Sequence, residues 1–194
     1  QAAGGRSARG ILSSYSSLTL LNTGTIDVAG DAVTGGYGLT VDNSGRIASS
    51  GGFAIGLDSY GTATITNRAG ATITGRDTAI RTSGGTLTNA GTITGSVDLG
   101  YSPFGQSFAG ATYIADGGTI AGDLRFGSAS DTFVSYGATG VSGTIDGGAG
   151  IDTFVHARTA SETVTLADTL PKGFERQGIR ALGTATVLTL RAAA

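Results

Sequence analysis

A short unit, Asn-x-Gly-x-Ile, recurs in the first half of the chain at an interval of about 22 residues, within the range of known structural repeats. Its copies are NTGTI at 22–26, NSGRI at 43–47, the expanded NRAGATI at 67–73 and NAGTI at 89–93. The positions of successive asparagines therefore differ by 21, 24 and 22. A regular interval of this length is typical of proteins built from stacked repeats, in which no single repeat can bury its apolar face alone.

Each unit follows a segment in which apolar and polar residues alternate. The apolar residues two positions before the asparagines are Leu20, Val41, Ile65 and Leu87. Alternation of period two predicts strands with one buried and one exposed side. Stacked units of about 21–24 residues predict an all-β fold, a single-stranded parallel β-helix (β-solenoid) of about seven or eight turns. Only two residues are proline, as expected where strand N–H groups bond to neighbouring turns.

The repeat changes after Leu99 and then returns. The segments 117–134 and 142–155 both end in Asp-Thr-Phe-Val, and these endings begin at Asp131 and Asp152, one repeat apart, which predicts more turns of the same helix. Within one domain, the predicted parts are an N-terminal cap, linker or exchanged strand (1–17), regular turns (18–99), an aromatic insertion loop (100–117), further turns (118–156) and a C-terminal cap region (157–194).

Charge and hydropathy argue against two kinds of partner. The net charge at pH 7 is −2 and no basic patch is visible, whereas nucleic-acid binding requires clustered cations. No apolar run approaches the roughly 20 residues of a membrane helix, so we expect no membrane insertion by this segment. Cysteine is absent, which excludes a thiol nucleophile and means that stability must come without disulfides.

The stretch DGGAGIDTFV at 146–155 raises the question of calcium binding. Residues 147–155 fit G-G-x-G-x-D-x-U-x, the calcium-binding nonapeptide of RTX β-rolls. Such rolls need tandem copies, whereas the nearest copy here, at 126–134, lies a whole repeat upstream and keeps one of the three glycines. We therefore favour a glycine-rich turn before an inward-facing Phe strand. If a calcium site exists, its expected donors are Asp131, Asp146 and Asp152.

The repeated asparagines are interpreted as structural residues. Because they share one position of the repeat, they are expected to stack in a column at one corner of the helix. Asparagine suits turn geometry, and stacked amides form hydrogen bonds along such a column. The column consists of Asn22, Asn43, Asn67 and Asn89.

The segment GYSPFGQSFAGATY at 100–113 interrupts the repeat. It supplies the candidate binding residues Tyr101, Phe104, Phe108 and Tyr113. Insertions in repeat proteins form loops on one face, which is often the binding face. Aromatic side chains there stack on sugar rings or anchor a protein partner. The alternative is that these rings fold over the helix and cover its side.

Three units, TLTNAGTITG, TATITNRAGATITG and LTVDNSGRIASSGGFAIGL, resemble the passenger repeats of pertactin-like bacterial autotransporters, a type V secretion class. The closing stretch, with DTFV and ETVTLADTLPKGFERQGIRALGTATVLTL, resembles the last coils of such passengers. The resemblance covers roughly residues 18–190. It implies a right-handed β-helix outside the cell or on the outer-membrane surface of a Gram-negative bacterium, with a role in adhesion, aggregation or biofilm formation. The family's translocator barrel is missing from this sequence, which indicates either a released passenger or a free-standing secreted β-helix.

We expect a structural or adhesive protein that is not an enzyme and needs no cofactor. The alternative is a carbohydrate-active β-helix enzyme, a polysaccharide lyase or glycoside hydrolase, which needs paired carboxylates on a concave face. Asp58, Asp77 and Asp98 lie about one turn apart, although turn formation is their simpler role. The single histidine, His156, has no Ser or Cys nucleophile motif beside it.

The ends of a β-helix expose strand edges without partners, and such edges favour association. If the caps are incomplete, subunits join head to tail, and a contact of this kind that does not close into a ring produces a filament. The expected partners are therefore further copies of the chain, together with a glycan or another host or cell-surface ligand.

Overall fold

The computed structural model describes residues 9–57, 61–102, 109–166, 170–183 and 188–192, which form β-strands and no helix. None of these segments is therefore a helix that could cross a membrane. The strands are β1 (Ile11–Leu12), β2 (Ser17–Asn22), β3 (Thr25–Val28), β4 (Val33–Gly35), β5 (Gly38–Asn43), β6 (Arg46–Ser49), β7 (Ile55–Leu57), β8 (Thr62–Asn67), β9 (Thr72–Arg81), β10 (Gly85–Asn89), β11 (Thr92–Asp98), β12 (Ala111–Ala115), β13 (Thr119–Ala121), β14 (Leu124–Arg125), β15 (Thr132–Ser135), β16 (Ile145–Asp146), β17 (Thr153–Arg158), β18 (Glu162–Leu166), β19 (Arg176–Ala181) and β20 (Leu188–Ala192).

The strands stack in parallel as a β-solenoid of about seven turns with three faces, which confirms the predicted all-β fold. The first face is an eight-stranded sheet in the order β19-β17-β15-β12-β10-β8-β5-β2. The second face contains β3, β6, β13 and the first parts of β9 and β11; the third contains β1, β4, β7, β14, β16 and the last parts of β9 and β11. Because β9 and β11 turn the corner, the second and third faces form one sheet. Strands β18 and β20 pair separately.

Each face contributes a column of apolar side chains to one continuous core. Full burial of one such side chain contributes about 1.5–3 kcal/mol, so the interior stabilises every turn through its neighbours. The columns are Leu20, Val41, Ile65, Leu87, Tyr113, Phe133 and Phe154 on the first face, Ile26, Ile47, Ile73, Ile93 and Ile120 on the second, and Val33, Ile55, Ile80, Val97, Leu124 and Ile145 on the third.

The four repeated asparagines form the predicted column at the end of the first-face strands. Asn22 Nδ2 donates to Asn43 Oδ1 at 2.7 Å, Asn43 Nδ2 to Asn67 Oδ1 at 3.0 Å, and Asn67 Nδ2 to Asn89 Oδ1 at 2.9 Å. The column ends where Asn89 Nδ2 donates to the carbonyl oxygen of Thr119 at 3.2 Å. These amides are buried, so each hydrogen bond satisfies a group that would otherwise be costly to remove from water.

The core becomes aromatic after the insertion. Tyr113 and Phe133 have ring centres 5.1 Å apart, and Phe133 and Phe154 have ring centres 4.9 Å apart, both in edge-to-face geometry. Phe174 packs against Phe126, Phe133 and Phe154 from the C-terminal end. The glycine-rich turn therefore leads into an inward-facing Phe strand, as the sequence indicated.

Three predicted boundaries differ from the structure. Strand β12 lies inside the predicted insertion loop 100–117 and pairs with β10, so only residues before Ala111 are extra chain. Strand β1, inside the segment 1–17, pairs with β4 of its own chain. Strand β19, inside the predicted cap 157–194, pairs with β17 as a further turn. In each case the strand edge of the neighbouring turn supplies hydrogen-bond partners that a local sequence pattern does not display.

Candidate functional site

The three predicted calcium donors do not lie together. Asp131 and Asp152 precede strands of the first face, whereas Asp146 lies in β16 on the third face with its Oδ2 2.6 Å from Lys172 Nζ. This hydrogen bond and the charge of Lys172 hold the pKa of Asp146 below its usual value. Within the described ranges, no three His, Asp or Glu side chains are placed to hold a metal ion. The prediction that Asp131, Asp146 and Asp152 share one site is therefore wrong for this part of the chain.

Asp131, Asp152 and Glu175 instead form a ladder of acceptors for backbone N–H groups. Asp131 accepts from the N–H of Ala111, Asp152 from the N–H of Asp131 at 2.7 Å, and Glu175 from the N–H of Asp152 at 2.8 Å. Burial raises the pKa of Asp131 and of Asp152, and these backbone hydrogen bonds oppose the rise. The ladder has a structural role because each carboxylate joins two successive turns.

The four predicted aromatic binding residues do not lie together in one described loop. Phe104 and Phe108 lie outside the described residues. Tyr113 is fully buried in β12, where burial raises its pKa to about 12, so the prediction that it belongs to a surface binding loop is wrong. The alternating burial of β12 explains this, since Ala111, Tyr113 and Ala115 all point inward. Tyr101 is half-buried and lies beside Arg81.

Arg81, the last residue of β9, lies between two aromatic rings. Its guanidinium carbon is 4.4 Å from the ring centre of Phe53 and 4.2 Å from that of Tyr101. We call Phe53, Arg81 and Tyr101 the Arg81 clamp. The residue beside Arg81 in the preceding turn is Gly56, and a Cβ there would lie only 2.3 Å from a Phe53 ring atom. The missing side chain of Gly56 therefore makes the space in which Phe53 covers the guanidinium.

A groove with a cavity volume of about 200 Å³ opens beside the clamp. Gly51–Phe53 from one turn line it, together with Arg76–Thr78 and Arg81 from the next turn. We call this the β9 groove. Its open side carries Arg76 and Asp77, whose side chains are 67% and 93% exposed and approach each other only to 3.8 Å. The groove therefore has cationic and anionic groups that remain largely solvated.

The corner of β9 explains why these side chains project outward. Thr74 pairs with Thr94 of β11 and Thr78 pairs with Ser96, so β9 contains more residues than β11 between the same two pairings. Gly75, Arg76 and Asp77 fill this expanded corner. An insertion of this kind displaces side chains from the regular ladder, as β-bulges do near functional sites.

Charges alternate along the third face next to the groove. Arg81, Asp98, Arg125 and Asp146 occupy equivalent positions in successive turns, and Lys172 continues the series. Burial raises the pKa of Asp98, while a hydrogen bond from the Gly100 N–H and the charges of Arg125 and Arg81 oppose that rise. Asp98 accepts the hydrogen bond from Gly100 at 3.1 Å, which fits a structural turn.

The residues of the enzyme alternative are not brought into one described cleft. Asp77 lines the β9 groove whereas Asp98 does not, and Asp58 lies outside the described residues. His156 packs edge-on against Phe154, with ring centres 4.8 Å apart, and burial lowers its pKa. His156 continues the position of the asparagine column through Ala115 and Ser135.

Phe53, Arg76 and Arg81 were missed as candidate site residues. The segment TGRDTAIR has more residues between its two strand segments than the next repeat has, and this difference could have indicated the expanded corner. The contact between Phe53 and Arg81 joins residues from two turns, so their sequence spacing does not display it. Gly56 gave no signal among 35 glycines.

No protein-family model matches this sequence, and no curated protein or solved structure is significantly similar to it.

Proposed function

We propose that this protein is an extracellular structural and adhesive β-solenoid that works as a scaffold and not as an enzyme. The observation that carries the proposal is the unbroken register of the first face, in which side-chain columns continue from β2 to β19. Such a stack is quasi-one-dimensional, holds its length without disulfides and presents side chains at a regular spacing. These are properties of a rigid spacer.

The resemblance of the repeats to autotransporter passengers supports a location outside the cell or on the outer-membrane surface of a Gram-negative bacterium. A parallel β-solenoid is the kind of fold that this resemblance implies. The proposed roles are adhesion, aggregation and biofilm formation, with a glycan or a host or cell-surface molecule as the ligand. The β9 groove and the half-buried ring of Tyr101 are the surfaces offered for that ligand.

End-to-end association of copies is the second part of the proposal. In the first turn the core positions Leu18, Leu20, Ile26 and Val28 are only partly buried, in contrast to their counterparts in the following turns. Tyr15 and Leu21 beside them are 80% and 68% exposed. Among the described strands β2 is the last of its sheet at this end. An apolar end of this kind favours stacking of a further coil, and a second copy is the proposed source of that coil.

The first experiment measures the mass of the purified chain by light scattering across micromolar concentrations, with and without EDTA, followed by negative-stain imaging. Rods that lengthen with concentration and survive EDTA support a self-assembling scaffold. A compact monomer that attaches to no polysaccharide- or cell-coated surface contradicts the proposed function. Polymers that EDTA dissolves restore a calcium-dependent mechanism.

A turnover assay on acidic polysaccharides separates the scaffold from the enzyme alternative. A scaffold releases no product; Asp77→Asn leaves its length unchanged, and Asp98→Asn leaves both its length and its surface attachment unchanged. Product release by the wild type that either substitution abolishes favours the polysaccharide lyase or hydrolase.

A further inference from the structure

We infer that the β9 groove binds the carboxylate of a uronic acid unit in an acidic polysaccharide, with Arg81 and Arg76 as hydrogen-bond donors. The inference rests on the proposed adhesive function and identifies the chemical class of its ligand. Arg46, Arg68 and Arg125 each pair with an Asp carboxylate, whereas Arg81 has neither an ion pair nor a hydrogen bond to another described residue.

The Arg81 clamp holds the guanidinium in place without using its hydrogen-bond donors. The guanidinium carbon lies over the ring of Phe53 and over that of Tyr101, and contact with a ring face leaves guanidinium N–H groups available for hydrogen bonds. An Arg held in this way has already lost much of its side-chain freedom, so binding an anion costs less entropy. The Nε atom is buried and has no acceptor within the described residues, which marks the group as an unsatisfied donor.

The groove also carries the other groups that a sugar acid requires. Arg76 is a second, largely exposed cation, Asp77 supplies a carboxylate acceptor for sugar hydroxyls, and Thr78 supplies a hydroxyl. Guanidinium groups recognise carboxylates through paired hydrogen bonds, while neutral sugar hydroxyls need both donors and acceptors. An acidic peptide would use the two arginines but lacks the ring hydroxyls that would donate hydrogen bonds to Asp77.

The size of the groove favours one saccharide unit of a longer chain. Its volume of about 200 Å³ is below the roughly 300 Å³ at which sites for drug-sized ligands begin. The groove is formed by two successive turns, so the remainder of a polymer can continue along the outside of the solenoid.

The test is a titration of the full chain with four probes, in which NMR or calorimetry measures binding. The probes are an oligogalacturonate, a neutral galactose oligomer of the same length, a sulfated galactan oligomer and an Asp/Glu peptide. We expect the oligogalacturonate to shift the amide signals of Gly51–Phe53 and Arg76–Thr78, and to bind at least about tenfold more tightly than the neutral oligomer, the ratio expected for one charge-assisted hydrogen bond. Equal binding of the neutral oligomer, or tighter binding of the sulfated oligomer or peptide, overturns the uronate assignment.

Two substitutions at the groove and one control locate the site. Arg81→Lys keeps the charge but loses the planar stacked group, and Arg76→Gln changes an exposed residue without affecting the core. Each is expected to weaken oligogalacturonate binding by about tenfold or less, with the larger loss for Arg81→Lys. Arg46→Ala removes an exposed arginine from the second face and is expected to leave binding unchanged.

The outcomes distinguish this inference from the proposed function. If the wild-type chain attaches to surfaces but oligogalacturonate does not compete, or if Arg76→Gln and Arg81→Lys bind as Arg46→Ala does, the uronate site is wrong and the scaffold stands. If the chain neither assembles nor attaches while oligogalacturonate still binds at Arg81, the site stands and the scaffold is wrong. Melting curves by circular dichroism show whether a variant has unfolded. If Arg81→Lys is unfolded, the binding of Arg76→Gln decides whether the uronate site is correct.

Discussion

The N-terminal turns (residues 18–99) and the C-terminal turns (residues 111–181) have one fold but different interiors. In the N-terminal turns, aliphatic side chains fill the first-face column and the adjacent position carries hydrogen-bonded asparagines. In the C-terminal turns, Tyr and Phe fill the same column, and Ala115 and Ser135 replace the asparagines. Carboxylates that precede these strands make side-chain hydrogen bonds between the turns, as the asparagines do in the N-terminal turns. The same parallel stack of strands therefore accommodates two sets of core side chains and two kinds of side-chain hydrogen bond between turns.

Removal of a central ring is the largest expected effect. Phe133→Ala should destabilise the C-terminal turns by about 3–5 kcal/mol, because Phe133 contacts the rings of Tyr113 and Phe154 and is fully buried. Urea unfolding followed by circular dichroism measures the loss, and Phe133→Leu is the milder control. Equal stability of Phe133→Ala and wild type would mean that the aromatic stack does not support these turns.

Removal of one amide from the asparagine column should reduce the free energy of unfolding by less than Phe133→Ala does. Asn67→Ala leaves the donor of Asn43 and the acceptor of Asn89 without their partners, and we expect a loss of about 1–3 kcal/mol. Asn22→Ala, at the end of the column, breaks one link and should cost less than Asn67→Ala. Unfolding midpoints in urea compare the two, and equal losses would argue against a cooperative column.

Acidification should affect two carboxyl sites in opposite directions, the Asp131–Asp152 ladder in the C-terminal turns and Asp42 in the N-terminal turns. The folded pKa of Asp131 and Asp152 is raised, so the stability that these two carboxyl groups contribute rises as pH falls from that folded value toward the unfolded value of about 4. The folded pKa of Asp42 is lowered by Arg68, so its contribution is present above about pH 4 and is lost as pH falls through the folded value.

Hydrogen exchange, corrected for the intrinsic rate at each pH, measures this contrast at the amides of Asp131 and Arg68. Asp152→Asn should reduce the pH dependence of protection at the Asp131 amide without changing the pH dependence at the Arg68 amide. A change of protection in the same direction at both amides would contradict the opposite effects predicted for the two sites.

Surface ion pairs should show the smallest effect in either half. Arg46→Ala and Lys172→Ala each remove an exposed cation from a pair with Asp27 or Asp146, and both should change stability by less than about 1 kcal/mol. Thermal melts at low and high salt measure the change. A larger loss in one half would show that surface charge, and not only the interior, distinguishes the two regions.

Much of the fold was predictable because it depends on local periodicity. The spacing of Asn22, Asn43, Asn67 and Asn89 indicated both the length of a turn and the column. Tyr113 was misassigned because its segment was taken for an insertion, although ATYIA has the alternation of a strand. The calcium motif could not show whether Asp131, Asp146 and Asp152 meet, because a glycine-rich turn has the same residues whether or not its carboxylates lie together.

The sequence by itself determined the period, the strand alternation and the parallel stack, because a repeat that buries one face through its neighbours has few other solutions. The tertiary structure decided which side chains from different turns meet. Phe53, Arg81 and Tyr101 are separated along the chain, and their contact depends on Gly56 and on the expanded corner of β9. Periodicity specifies positions within a turn, whereas contacts across turns depend on the volume and register of every side chain between them.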